Sequence, residues 1–196
     1  TYHSSLFTHH LSLTTYHLSL TMHPLDKFLY CPVCGSPQFH VNNFKSKHCQ
    51  SCGFTYYANP CSATAAFILN ERGELLVARR GKEPAKDTLD LPGGFVDMDE
   101  TVEQGIRREI REETGLEVDQ LTYLFSLPNR YLYSGMTIHT IDMFFEVHVP
   151  STVRPVADDD AAALSWMPLH QVHPENFGLH SISQAVRRFL ATGANI

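Results

Sequence analysis

Between Gly94 and Leu116 the chain reads GFVDMDETVEQGIRREIREETGL, and no other stretch restricts the fold as much. Thr101 is suited to cap a helix N-terminus, and Gly115 stands where a left-handed C-terminal residue belongs. Between them Val102, Ile106 and Ile110 recur at helical spacing, so this helix has one apolar stripe that must pack on another layer. Seven of the twenty-three residues are acidic. Glu109, Glu112 and Glu113 stand at i, i+3 and i+4, neighbours on one face. Like charges so close repel, and a surface made for stability alone would interleave Lys or Arg. Arg107, Arg108 and Arg111 offset them only in part. Three clustered carboxylates suit a hard divalent cation such as Mg²⁺ or Mn²⁺, which prefers oxygen and keeps waters that a phosphate can replace. Gly93 and Gly94 let the backbone come close just ahead of the helix and offer it a carbonyl. Taken alone, an E-x-x-E-E face is more simply a solvated acidic surface; its surroundings decide.

With 196 residues the chain can bury a good core, and the length suits one main domain with a small appendage. A net charge of −6 argues against a surface that is chiefly a basic nucleic-acid footprint. No run of apolar residues is long enough to cross a membrane as a helix. The opening residues, TYHSSLFTHHLSLTTYHLSLTMHP, have no basic start, no unbroken apolar core and no period. They read as a loosely ordered extension over 1–25, with Met22 as the expected functional start.

Two C-x-x-C pairs follow, CPVCG at 31–35 and CQSCG at 49–53. Fourteen residues separate them, near the spacing of four-cysteine zinc sites. Gly35 and Gly53 relieve the tight turn after each pair. Two disulfides or a redox pair are the competing readings. Nothing marks secretion, and a redox pair comes singly beside a βαβ pattern. Cys31, Cys34, Cys49 and Cys52 are therefore read as ligands of one structural Zn²⁺ in a module over 26–58. Cys61 reads as a small buried hydrophobe, and His40 and His48 as surface residues.

Farther on, 62–69 and 74–80 read as a hairpin joined by a turn at 70–73. Residues 89–95 form a short extended piece broken by Pro92 and the glycines. Residues 121–127, 138–149 and 163–169 read as strands and 181–193 as a closing helix. The fold class is α+β or mixed α/β, with a small zinc module in front.

From Gly94 the spacing is G, five residues, Glu100, seven residues, then REIREETGL at 108–116. All nine specified positions of the pattern G-x5-E-x7-R-E-U-x-E-E-x-G-U are filled, U being a bulky aliphatic. The chain resembles the Nudix hydrolases. The likeness covers roughly residues 60–190, through LLVARR, LDLPGGFVD and a segment from Asp160 to Trp166. It implies an α/β/α sandwich over 59–196 and a metal-dependent hydrolase acting on phosphoanhydride bonds, which cleaves a nucleoside diphosphate linked to another moiety. It also implies that Glu109, Glu112 and Glu113 hold Mg²⁺ or Mn²⁺ with help from the Gly94 carbonyl, and that Arg108 and Glu100 pair to brace them. The general base lies on a box glutamate or on a later acid, where Asp160 falls. Arg79 or Arg80 would reach the substrate phosphates, and Tyr131, Tyr133 or Phe177 would stack a base.

A four-cysteine ribbon ahead of such a domain is similar to the NADH pyrophosphatase group. That group carries S-Q-P-W-P-F-P-x-S after the box; here SLPNRYLYS keeps Ser126, Pro128, Tyr131 and Ser134 but lacks the Trp. NADH specificity is thus not supported, and a related zinc-ribbon group of loosely defined substrate fits better; the expected substrate is ADP-ribose or an NAD(H)-like dinucleotide. The alternative is a nucleotide-sensing or RNA-associated module, for which Lys27, Lys45 and Lys47 tint the ribbon basic. The expected partner is a small nucleotide, with nucleic acid second, no membrane, a homodimer allowed, and a cytoplasmic location.

Overall fold

The computed structural model describes residues 23–156 and 161–193. The expected extension, apart from its last three residues, and Asp160 lie outside the described residues.

At the N-terminal end, β1 (Phe39–Asn43), β2 (Ser46–Cys49) and β3 (Thr55–Tyr57) form a three-stranded antiparallel sheet. Its core is small: Cys31, Phe39 and Cys49 are buried, with Phe28 and Phe54 against them. The two C-x-x-C-G segments close the same turn. Gly35 N–H donates to Cys31 O and Gly53 N–H to Cys49 O, each at 2.9 Å. Both glycines are left-handed, with φ of 70° and 78°, which explains their place after each pair.

The rest is one six-stranded sheet between two helices. Strands β4 (Cys61–Asn70), β5 (Glu74–Arg80), β6 (Leu89–Asp90), β7 (Thr122–Tyr133) and β8 (Met136–Val149) run in the order β6-β5-β4-β8-β7, and β9 (Ala161–Pro168) pairs with β5. β4 pairs in parallel with β8 over the whole length of β4, and the other pairings are antiparallel. Alternation along β4 divides the core. Ala65, Phe67 and Leu69 face α2 (His180–Ala191), where the Phe67 and Phe189 rings stack at 4.2 Å. Ala66 and Ile68 face α1 (Val102–Thr114), whose Ile106 and Ile110 are wholly buried while Val102 packs on the same cluster.

The β4–β5 hairpin opens away from its turn, and residues 92–96 enter the gap. Pro92 O and Gly94 O accept from Ala66 N–H and Thr64 N–H, and Val96 N–H donates to Ser62 O. This insertion delivers the chain to α1. Thr101 caps the helix in a full capping box with Gln104, and Gly115 ends it at φ 69°. Two expectations fail. Cys61 is exposed, because it opens β4 and burial along the strand begins only at Thr64. Phe177 is buried in the α2-side core and cannot stack on a ligand. His48 is half-buried with its ring on Thr55, whereas His40 is exposed.

Candidate active site

Backbone alternation arranges the segment ahead of α1. The carbonyls of Pro92 and Gly94 point to β4, so Gly93 and Phe95 face the helix. Gly93 N–H donates to Glu113 Oε2 at 2.9 Å, and Phe95 O accepts from Arg108 at 2.9 Å. Gly93 has φ 148°, and a Cβ there would stand 2.2 Å from Thr64 O, so only glycine fits. At Gly94 a Cβ would meet the Glu109 carboxylate at 2.6 Å.

Arg108 organises the helix acids. Its guanidinium forks onto Glu100 at 2.8 and 3.0 Å, which is the expected brace, and Nη1 reaches Glu109 at 2.8 Å and Glu112 at 3.0 Å. Glu109 is largely enclosed, its side chain 15% exposed, whereas that of Glu112 is 47% exposed. Burial raises the Glu109 pKa against the pull of Arg108, and the charges of Glu112 and Asp97 add to the rise. The Arg108 fork, with a backbone N–H from Asp97, holds Glu100 below the usual carboxylate range.

Glu109 and Glu113 open onto a cleft of about 680 Å³. Gly93, Gly94, Arg79, Arg80 and Tyr131 line it too, whereas Glu100, Arg108 and Glu112 do not. Arg79 donates to Asp87 O at 2.7 Å. Arg80 is fixed by Asp90 at 2.5 Å and by Pro84 O at 2.8 Å, with Tyr131 beside it. Phe95, Tyr131 and Tyr133 form an aromatic wall, edge-on at 6.0 Å and then stacked at 6.4 Å.

Two lining residues went unread in the sequence. Burial pushes the Asp90 carboxyl up, opposed by Arg80 and reinforced by the Asp142 charge. Asp142 is buried and accepts from the hydroxyls of Thr140 and of Ser181 on α2, each at 2.5 Å. Its one sequence signal was parity, since it shares the inward register of Phe144.

Do these residues fit a divalent cation? The donors are hard carboxylate oxygens, and an enclosed Glu109 among other acids is a place where positive charge is favoured. The three box glutamates lie apart, Glu109 and Glu112 drawn to Arg108 and Glu113 to Gly93 N–H, so a shared ion would have to gather them. The four cysteines are already gathered. Among the described residues they are the one group with metal-ligating atoms all within 4.8 Å. Their sulfurs approach to 3.7 Å (Cys31–Cys52) and 3.6 Å (Cys34–Cys49), and a tetrahedral zinc with bonds of about 2.3 Å sets sulfurs roughly 3.8 Å apart. The thiols are free, with no disulfide among them. Burial works against ionisation of Cys49, yet N–H groups of Cys52 and Ser51 prevail and lower its pKa to about 6. Cys52, despite the Phe54 N–H, is pushed up to about 12 by Cys34 and burial. Four thiols this close cannot all ionise unaided, and a bound dication would let them.

A family model described as the NUDIX domain matches residues 59–189. The chain is 35% identical over 118 residues to the NAD-capped RNA hydrolase NudC of Deinococcus radiodurans, covering 58% of this chain and 41% of that protein. It is 39% identical over 79 residues to the ADP-ribose pyrophosphatase of Methanocaldococcus jannaschii, covering 39% and 46%. The chain thus spans less than half the length of these curated relatives. Among solved structures it resembles a MutT NUDIX hydrolase from Burkholderia pseudomallei, with TM-score 0.57, 27% identity and coverage of 66% and 97%. A NUDIX hydrolase from Nitrosomonas europaea shares the fold at TM-score 0.62 and 15% identity, covering 84% and 91%. The matched stretch is about two thirds of the chain and contains the inserted loop, the acidic helix and the sheet beneath them: the chain belongs to the Nudix family.

Proposed function

We propose that the chain is a pyrophosphohydrolase dependent on Mg²⁺ or Mn²⁺, acting on a nucleoside diphosphate linked to a second moiety, with ADP-ribose or a NAD-type dinucleotide preferred. The observation that carries this reading is that Glu109 and Glu113 share one cleft with Arg79, Arg80 and Tyr131. Glu109, Glu112 and Glu113 hold the cation. The Gly94 carbonyl, which also accepts from Thr64 N–H, is the proposed backbone helper, and Gly93 N–H holds Glu113. A divalent cation bound there neutralises charge on phosphate oxygens and acidifies a water.

Arg108 positions the carboxylates, and Glu100 positions Arg108. Arg80, held by Asp90, and Arg79 present positive charge to the diphosphate. Phe95, Tyr131 and Tyr133 offer ring faces to a base. The names of the D. radiodurans and M. jannaschii relatives support this substrate class, and the former extends it to a dinucleotide carried on the end of an RNA. The cysteine site is proposed as structural Zn²⁺, closed by four thiolates with no open position.

A panel of ADP-ribose, NADH, diadenosine polyphosphates, nucleotide sugars and nucleoside triphosphates, run with Mg²⁺ and with Mn²⁺, tests the reading. ADP-ribose or a dinucleotide should show the highest kcat/KM. Preferential conversion of a triphosphate to monophosphate and pyrophosphate would overturn it.

A further inference from the structure

The tip of the β1–β2 hairpin has a composition that neither its turn nor its core explains. The loop is Phe44-Lys45, with φ negative at both. Tight hairpin turns favour Asn and Gly, so turn chemistry does not call for a phenylalanine. Nor does packing: Phe44 is 80% exposed. Beside it on the edge strand β3, Tyr57 is 47% exposed. Lys45 lies between them, its Nζ 6.0 Å from each ring centroid. Lys47 provides the contrast. It is buried over Phe39 and donates to Phe28 O, a structural lysine closed to any ligand.

We propose that Phe44, Lys45 and Tyr57 form a docking surface for single-stranded RNA. Two open ring faces flanking a cation match unpaired bases flanking a phosphate. A duplex hides its base faces, and an apolar protein partner would have to desolvate the Lys45 charge. The choice of RNA rests on the proposed activity, in which the cleft takes a dinucleotide linkage that an RNA end can carry.

The test is fluorescence anisotropy with the full-length, zinc-loaded chain and a mixed-sequence single-stranded RNA labelled at its 3′ end, compared with its duplex and with DNA of the same sequence. F44A and Y57A should each weaken binding about tenfold or more. K45A should flatten the dependence of log K on log salt by about 0.7. All three should retain zinc and hydrolyse ADP-ribose as the parent does. Equal affinity in the three variants, or equal affinity for the duplex, would overturn the proposal, whereas single-stranded DNA should bind about as well because rings and a cation do not read the 2′-OH. A parent that binds RNA but hydrolyses nothing on the substrate panel would defeat the proposed activity and leave this surface standing.

Discussion

Arg108 makes five hydrogen bonds to four partners: two to Glu100 and one each to Glu109, Glu112 and Phe95 O. A lysine has no such planar fork, which is why the pattern specifies arginine here. The arrangement separates acids that hold the arginine from acids that serve the cleft. Glu100 belongs to the first kind. Its folded pKa is lowered, chiefly by Arg108, so its stabilisation is fully present above the unfolded value of about 4.3 and is lost as pH falls through the lower folded value. Thermal melts should therefore show E100Q below the parent at pH 7, with the gap closing in acid below the unfolded value. A gap constant with pH would assign the loss to packing instead. Glu113 belongs to the second kind, and Glu112, bonded to Arg108 and outside the cleft lining, joins it only through the proposed cation. E112Q and E113Q keep side-chain size and should fold normally. Loss of an anionic ligand should lower kcat by on the order of a hundredfold or more. Full turnover by both on a verified substrate would remove these residues from the site.

At the scale of elements, α1 was legible from its caps, apolar stripe and acidic face, because each follows from spacing within one helix. The β4–β5 hairpin and the closing helix were legible for the same reason. The wedge of residues 92–96 between β4 and β5 was not, since it depends on two strands parting. Nor was the full length of β7. Pro128 argues against a strand interior, but β7 is the sheet edge, where a missing N–H is tolerated. In the ribbon, the cysteine spacing foretold the cluster but not strands of three to five residues without alternation. The wedge makes a sharp prediction about its glycines. Gly115→Ala has open space for its Cβ and meets only the left-handed φ, a cost of about 1–2 kcal/mol. Gly93→Ala drives a Cβ into the backbone of Thr64 and Ala65. Denaturant melts should rank Gly93→Ala as the more damaging, and residual folded protein should have lost hydrolysis along with its Glu113 anchor. Equal stability of the two variants would show that the wedge does not insert as described.

The whole molecule carries two candidate metal sites that the sequence distinguished by donor type alone. The ribbon gathers soft sulfurs already within reach of one ion, whereas the helix presents hard oxygens held by Arg108 and Gly93. Soft thiolates should retain zinc through a brief chelator treatment that strips Mg²⁺ or Mn²⁺ from carboxylates. Purified protein should contain about one zinc per chain, which is the ratio a four-thiolate site sets. A short exposure to EDTA should abolish hydrolysis without releasing that zinc, and added Mg²⁺ or Mn²⁺ alone should restore it. Cys31→Ser should behave in the opposite way. Cys31 is buried in the ribbon's small core, so losing its thiolate should release zinc and unfold β1–β3, because binding energy there is folding energy. The main sheet has its own two cores and should remain folded, with hydrolysis of small substrates retained. Metal analysis, proteolysis and turnover measured on the same samples give the decision. Zinc lost together with activity, and activity regained only when zinc is returned, would place the chemistry at the cysteines and end the assignment of the glutamates.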